Sequence, residues 1–255
     1  MKGLPAAAAL LLAAAVSAAQ EPAAERPAPE KPPVFAGETL RYDMTILGVE
    51  AGEVVLQSVA DQFEGRPAYR IEMTVETNED ISRIFLVRDR LRSWVDAASL
   101  ASLCFHKRTV EGRRVREEII TFDQSRGVAH RGDKVILFDE PAFDTLSSVY
   151  LARTLPLDGS SPIRMTVVAK NAFLLNVEWQ GRQLVKTPAG TFRTIRVEPK
   201  SPGENLIAKG RNLVLWMTDD ERHLPVQIRS SLAIGSLVGK LKSIEKAASP
   251  LTPAP

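Results

Sequence analysis

Apolar and polar residues alternate one by one along most of this chain, which is the pattern of β-strands that bury one face. Between residues 69 and 76 every odd position is apolar, and the even positions are Arg, Glu, Thr and Glu. Similar segments follow one another from Leu40 onward, separated by turn signals such as Glu111-Gly112 and Gly132-Asp133. This spacing of strands and turns favours an antiparallel barrel or sandwich.

One segment has helical spacing instead. From Asp144 to Leu155, residues 146, 149, 150 and 153 recur at the spacing of one helix face, and Asp144 or Thr145 can cap the N-terminus. Residues 80–86 fit either a short helix or a loop. The sequence therefore predicts a mostly β fold, an antiparallel curved sheet that forms a barrel-like, open-barrel or sandwich domain of about a dozen strands with one short helix.

Three predicted strands are apolar on both faces, at residues 54–56, 135–138 and 173–177. An antiparallel sheet with one wet face would alternate more cleanly. Two arrangements explain the pattern, namely two sheets packed face to face or a curved sheet around an apolar lumen. Residues 212–233 are predicted to form a hairpin with a polar turn, in which Trp216 is the large buried anchor.

The chain ends suggest export. Residues 1–19 read as a signal peptide, because Lys2 precedes an Ala/Leu run that is followed by small residues. We expect a Pro/Ala-rich disordered linker at 20–35, one β-rich domain at 36–246 and a disordered tail at 247–255. Cys104 is the only cysteine, which argues against a lipid-modified N-terminus and an internal disulfide. These features predict a periplasmic or secreted protein that is not a lipoprotein.

The charge balance narrows the class of partner. The chain carries 33 basic and 31 acidic side chains, without the concentrated basic excess of a nucleic-acid-binding protein. No apolar run after the signal approaches membrane-spanning length, so no transmembrane segment is expected after cleavage. No nucleic-acid partner is expected either.

The histidines, serines and cysteine of the chain do not form a recognisable motif of catalysis or metal binding. His106, His130 and His223 have no second ligand at metal-binding spacing, so neither a metal nor another cofactor is expected. No serine lies in a Gly-x-Ser-x-Gly elbow, and Cys104 lies within an apolar strand pattern, which favours a buried structural thiol. The sequence therefore predicts a protein that is not an enzyme.

Six arginines form a charged group at Arg88, Arg90, Arg92, Arg113, Arg114 and Arg116. They fit a solvated strand face that discourages edge pairing, or an electropositive rim that meets anionic headgroups. The three tryptophans fit either the core or the wall of an apolar pocket.

Five segments, in order, resemble a family of exported bacterial proteins known as domain of unknown function 3108. They are GETLRYDMTILGVEAGEVVL (37–56), DTLSSVYLAR (144–153), TPAGTFRTIRV (187–197), LWMTDDERHLPVQI (215–228) and the terminal strand at 235–241. The family brings no established activity. A looser resemblance to the LolA/LolB-like periplasmic lipoprotein carriers implies a half-barrel that closes over acyl chains.

The first functional hypothesis is a non-enzymatic protein of the periplasm or cell envelope that binds or carries a lipid or other apolar ligand inside a barrel-like sheet. Its candidate ligand-binding residues are Tyr42, Met44, Ile71, Met73, Arg88, Arg90, Arg92, Trp94, Trp179 and Trp216. One alternative is an interaction module that docks another envelope protein. Another is an envelope hydrolase that would use His223 with Asp219 or Asp220.

Overall fold

The computed structural model describes residues 35–139, 141–160, 162–201, 213–232 and 235–246. The predicted signal peptide, the predicted tail and all of the predicted linker except Phe35 lie outside these residues, as do the two ends of the predicted 212–233 hairpin. Phe35 itself is fully buried in the core. Within the part of the chain that is described, no helix is both long and apolar enough to cross a membrane.

Strands dominate the described residues, with two short helices, α1 (Glu79–Ile84) and α2 (Ser147–Ala152). The strands are β1 (Glu38–Ile46), β2 (Val49–Phe63), β3 (Arg66–Thr77), β4 (Val87–Asp96), β5 (Ser102–Glu111), β6 (Arg114–Asp123), β7 (Val128–Arg131), β8 (Lys134–Leu137), β9 (Ala142–Phe143), β10 (Ile163–Val168), β11 (Ala172–Thr187), β12 (Gly190–Lys200), β13 (Leu213–Thr218), β14 (Pro225–Leu232) and β15 (Gly235–Lys246).

The 15 strands of the described residues belong to one sheet, in the order β8-β7-β6-β5-β4-β3-β2-β1-β15-β14-β13-β12-β11-β10-β9. Two meanders, β1–β8 and β9–β15, are therefore joined where β1 pairs with β15. Neighbouring strands are antiparallel except for β9 and β10, which are parallel. The mostly β, curved antiparallel fold is confirmed, and the sheet is unclosed because β8 and β9 remain its two edges.

Several local predictions match closely, and the differences have physical reasons. The hairpins β5–β6 and β7–β8 turn at the predicted glycines, Gly112 and Gly132, both at positive φ. Residues 80–86, for which the sequence fits either a short helix or a loop, contain most of α1 (Glu79–Ile84). The predicted strand at 173–177 is part of one long strand, β11, whose pairing is interrupted by a bulge after Trp179.

The predicted helix from Asp144 to Leu155 is shorter in the structure, where α2 begins at Ser147. Asp144 precedes the helix, and its Oδ1 accepts hydrogen bonds from the backbone N–H groups of Leu146 and Ser147. Its Oδ2 accepts from the hydroxyls of Ser93 (2.5 Å) and Ser102 (2.7 Å), on β4 and β5. The carboxylate therefore ties the start of the helical segment to the first meander.

Arg153, at the other end of α2, makes a bidentate ion pair with Glu38 on β1. Only 1% of Arg153 and 4% of Glu38 are exposed, and the guanidinium carbon lies 5.6 Å from the Phe35 ring centre and 5.2 Å from that of Tyr150. Its Nε donates to the carbonyl oxygen of Arg222, in the β13–β14 turn. Burial by itself would lower the pKa of Arg153, but the hydrogen bonds and charge of Glu38 outweigh it, and the pKa is raised. The end of α2 is thus tied to β1 and to the second meander.

Three apolar clusters surround α2. Tyr150 belongs to the largest cluster, Ala152 belongs to the second, and Val149 packs against the third. The third cluster is built from Leu157 and four strand residues, Ile195, Val197, Leu215 and Met217. The concave side of the sheet is therefore packed around this short helix and the chain that follows it.

Breaking the buried ion pair is expected to destabilise the whole fold. Glu38→Gln leaves the Arg153 guanidinium buried without its counter-charge, so the free energy of unfolding should fall by about 3–5 kcal/mol, and replacing both residues by Leu and Met should recover part of the loss. Urea unfolding measures each value. The control is Arg83→Met, which breaks the exposed Arg83–Asp80 pair and should cost about 0–1 kcal/mol. A Glu38→Gln midpoint equal to that of the unsubstituted protein would contradict this account.

Candidate functional site: an apolar groove beside Trp179

An open groove with a volume of about 480 Å³ lies between the chain that follows α2 and the strands β10, β11 and β12. Its lining residues are Pro156, Leu157, Gly159, Pro162, Ile163, Val177, Glu178, Trp179 and Val197. Eight of these nine are uncharged, which makes the groove an apolar concavity on the molecular surface.

Cross-strand pairs form the floor of the groove. Ile163 lies opposite Val177, and Val197 lies opposite Trp179, so all four side chains share one face of the sheet. The wall is formed by Pro156, Leu157, Gly159 and Pro162, and Leu157 is buried in the third cluster. Burial of Leu157 holds the wall against the floor.

Trp179 is the most unusual residue of the groove, because 43% of this large apolar side chain is exposed. It sits at the β11 bulge, where the pairing register shifts before Arg182. On the opposite wall Gly159 has a φ of +78°, and a Cβ atom there would lie 3.3 Å from the indole ring. Glycine suits this position because it adopts a positive φ easily and leaves room for the close approach of Trp179.

The charged groups at the rim are paired with one another. Glu178 lies 2.6 Å from Lys200, and the Arg182 Nε lies 2.9 Å from the Asp219 carboxylate. The Arg182 guanidinium carbon also lies 5.9 Å from the centre of the Trp179 ring. Hydrogen bonds from Ser160 lower the pKa of Asp158 at the same rim. A ligand would therefore meet an apolar interior and a rim whose charges are already compensated.

The aliphatic and tyrosine candidates from the sequence lie in the core. Tyr42, Met44 and Ile71 are buried, and Met73 is partly buried against the same cluster. The Tyr42 hydroxyl donates to the carbonyl oxygen of Pro225 at 2.7 Å. Burial raises the pKa of Tyr42 well above its ordinary value, so the hydroxyl stays neutral. The structure places these side chains away from the groove's lining.

The arginine candidates lie together on one face of β4, opposite glutamates of β3. Arg88 lies 3.5 Å from Glu76, while Arg90 and Arg92 lie 3.3 and 2.9 Å from Glu72. Following the register across β5 to β6 puts residues 115, 117 and 119 on this face, so that Arg114 and Arg116 lie on the other. The six arginines of the sequence pattern therefore do not form one surface.

The three tryptophans have different environments. The Trp94 Nε1 donates to Asp61 at 3.3 Å. Trp216 is only 5% exposed, which confirms it as the anchor of its hairpin, and its ring lies 6.0 and 5.7 Å from the guanidinium carbons of Arg196 and Arg229. Its Nε1 has no hydrogen-bond partner among the described residues. Of the ten candidates, the structure brings only Trp179 into the groove.

The residues considered for catalysis have structural partners. The His223 Nδ1 bonds to the backbone oxygen of Arg153 at 3.0 Å, while the Asp220 carboxylate bonds to Thr218 and Arg222. Burial raises the pKa of the Cys104 thiol to about 11. No group of three or more potential metal ligands was found among the described residues. Among the described residues, neither Asp219 nor Asp220 forms a hydrogen bond with the His223 side chain, as the hydrolase hypothesis would require.

Sequence reasoning missed the buried pair and most of the groove. A signal for the pair was present, because Arg153 recurs with Leu146, Val149 and Tyr150 on the apolar face of the predicted helix. A charge in that position indicates burial with a partner. The groove wall carries turn-forming residues such as Pro156 and Gly159, which do not indicate a binding site, because its role depends on strands that lie far away in sequence.

Known proteins resemble the chain as follows. A family model for proteins of unknown function, DUF3108, matches residues 41–242. A crystal structure of a β-barrel-like protein of the domain of unknown function DUF1849 from Brucella abortus is similar, with a TM-score of 0.56 and 11% identity over 82% of this chain and 97% of that one. At this identity the likeness shows the fold only, and it agrees with the barrel-like sheet described above.

Two further structures give low TM-scores. One is described as a candidate lipoprotein from Parabacteroides distasonis (TM-score 0.36, 11% identity, 84% of this chain and 97% of that one). The other is described as a candidate exported protein with a YmcC-like fold from Bacteroides fragilis (TM-score 0.32, 11% identity, 84% of this chain and 98% of that one). No curated protein matches the chain.

Fluorescence quenching can locate the exposed indole. Because Trp179 is the most exposed tryptophan and Trp216 is buried, Trp179→Phe should remove the largest share of the emission that acrylamide quenches. Trp216→Phe should leave that quenchable share in place. Equal losses in the two variants would show that the groove does not hold Trp179 open to solvent.

Proposed function

We propose that this chain, which belongs to the DUF3108 family of proteins of unknown function, is an exported, non-catalytic binding protein of the cell envelope. Its ligand is apolar, either a lipid chain or a comparable hydrophobic group, and the binding site is the groove beside Trp179. The proposal of export rests on the signal-like sequence of residues 1–19.

The groove carries this proposal. Small-molecule sites are usually clefts of roughly 300–1,000 Å³ with mainly apolar walls, and this groove of about 480 Å³ has both properties. Each methylene group that a ligand buries contributes about 0.8 kcal/mol, so a chain lying across the groove would bind without any specific polar contact. This differs from the interior lumen expected from the sequence, because the structure packs Tyr42 and Ile71 into the core.

The groove's composition favours binding over catalysis. Glu178 is its one ionisable lining residue, and that carboxylate is occupied by Lys200. General acid–base or nucleophilic catalysis needs a second group within hydrogen-bonding reach of the first. The lining supplies a hydrophobic surface and an aromatic ring instead.

A second candidate function, an interaction module, is favoured by a different observation. The edge strand β8 has one sheet neighbour, and two of its residues, Val135 and Leu137, are 54% and 71% exposed. On the same face of the sheet lie Val115 and Ile119 of β6, also exposed. An open edge with apolar side chains suits the addition of a strand from a partner protein.

A neutral, apolar fluorescent probe such as N-phenyl-1-naphthylamine tests the groove. The full chain should bind it saturably, and Trp179→Ala should weaken binding by about tenfold or more, since it removes a large apolar contact. Leu184→Ala is the matched control, because Leu184 lies on the same strand, is exposed and lies outside the groove's lining. That variant should bind as the unsubstituted chain does.

Two outcomes would count against the groove. One is a lack of saturable binding by the unsubstituted chain, which would move the proposal to the interaction module. The other is equal weakening by both variants, which would place the probe elsewhere. Matched urea unfolding curves ensure that each variant is compared in its folded state.

A further inference from the structure

A second charged surface lies on the face of β5–β8 opposite to the Arg88–Arg92 face. In the register, Lys107 of β5 lies opposite Glu118 of β6, and Arg131 of β7 lies opposite Lys134 of β8. The Arg131 Nη2 lies 2.9 Å from the Glu118 carboxylate, which links the two pairs. One short stretch of the sheet therefore carries Lys107, Arg131 and Lys134 on the same face, and Arg131 is paired with Glu118.

A fourth cation comes from the other end of the sheet. The Lys134 Nζ donates to the backbone oxygen of Lys170 and to the Asn171 side chain, both at 2.5 Å, across the gap between β8 and the β10–β11 turn. The side-chain hydrogen bond from Arg131 lowers the pKa of Glu118, and the charges of Arg131, Lys107 and Lys170 act in the same direction. Lys170 is thus close enough for its charge to act on Glu118.

Only one cation of this cluster has an ion pair among the described residues, namely Arg131 with Glu118. The other acids on this face are Asp89, which lies close to Lys107, and Glu111, which lies 3.7 Å from Arg116. On the opposite face each of Arg88, Arg90 and Arg92 has a glutamate within 3.5 Å. Those three arginines thus have acidic partners, whereas Lys107, Lys134 and Lys170 have no ion pair among the described residues.

One donor in the cluster is buried and unused. Arg131 engages Glu118 through Nη2, whereas its Nε is buried and has no hydrogen-bond partner among the described residues. Guanidinium groups bind phosphate through paired N–H donors, and lysines add charge around it. An anion bound here would accept a hydrogen bond from the buried Arg131 Nε and would neutralise lysines that have no ion pair among the described residues.

We infer that Lys107, Arg131, Lys134 and Lys170 form a binding site for a phosphate group where the two ends of the open sheet approach each other. The bound phosphate supplies negative charge to a cluster of four cations. Among the described residues, only one of these cations, Arg131, has an ion-pair partner, Glu118. The phosphate also gives an acceptor to the Arg131 Nε, which has no hydrogen-bond partner among the described residues. The site involves none of the groove's lining residues and does not depend on the function proposed for the groove.

The phosphate could be free or part of a lipid headgroup, and two titrations of the full chain at constant ionic strength distinguish these sources. One uses inorganic phosphate, and the other uses a short-chain phosphatidylglycerol below its critical micelle concentration. Calorimetry should show saturable binding of at least one. Phosphate binding would show that the free anion suffices, and binding of the lipid only would assign the site to a headgroup.

Charge-removing variants locate the site. Lys107→Gln and Lys170→Gln should each weaken binding by about tenfold, since each removes a charged contact. Arg108→Gln is the matched control, because Arg108 follows Lys107 in β5, is exposed on the opposite face and has no ion pair among the described residues. It loses the same charge but should change the affinity less than about twofold.

Either of two results would overturn the inference. The first is that the unsubstituted chain binds neither phosphate nor the lipid saturably. The second is that Arg108→Gln weakens binding as much as Lys107→Gln, which would indicate attraction by net charge and no defined site. The neutral probe of the groove separates the two proposals, because Lys107→Gln should leave its affinity unchanged.

Discussion

The buried ion pair between Glu38 and Arg153 connects residues that are 115 positions apart in sequence. Removing either charge leaves the other in a medium that solvates it poorly, so the pair holds only if both partners are placed together. Arg153 also bonds to the backbone of Arg222, and His223 bonds back to the backbone of Arg153. One guanidinium thereby fixes the relative positions of β1, α2 and the β13–β14 turn.

The groove depends on that placement. The chain leaves α2 at Arg153 and reaches Leu157 four residues later, where it packs on the strand residues of the third cluster. Fixing Arg153 therefore also fixes where the segment 156–160 packs against the sheet. The groove is the space left between that segment and the sheet, and Gly159 lets the wall approach Trp179 without a clash.

The unclosed sheet explains the other features of the surface. Because β8 and β9 are not paired with each other, the first meander ends in an open edge, and side chains such as Lys134 bridge the gap to the β10–β11 turn. Cations from both ends of the sheet meet there. A fully closed barrel would satisfy this edge with backbone hydrogen bonds and would need no such bridge.

Much of the fold could be predicted from local patterns. Alternation at residues 69–76 gives the buried side of β3, glycines give the β5–β6 and β7–β8 turns, and Trp216 follows from an apolar strand beside a polar turn. Each of these is a short-range effect, since side chains alternate between the faces of a strand whatever it pairs with. The curved antiparallel class follows from the sum of such segments.

Long-range contacts decided what the sequence pattern left open. The spacing of Arg88, Arg90 and Arg92 predicted a shared face correctly, but only the register showed glutamates opposite them and Arg114 and Arg116 on the other side. The sequence also left open whether apolar strands enclosed a lumen or packed on one another. The structure fills that space with α2, held by Asp144 at one end and by Arg153 at the other.

The sequence by itself determined the strands, the turns and the buried faces, because period and turn chemistry act over a few residues. Only the tertiary structure determined the groove, the ion pair and the cation cluster. Leu157 and Val197, Glu38 and Arg153, and Lys134 and Lys170 are each far apart along the chain. Their meeting depends on how the two meanders join at β1 and β15 and curve toward each other, which no local pattern encodes.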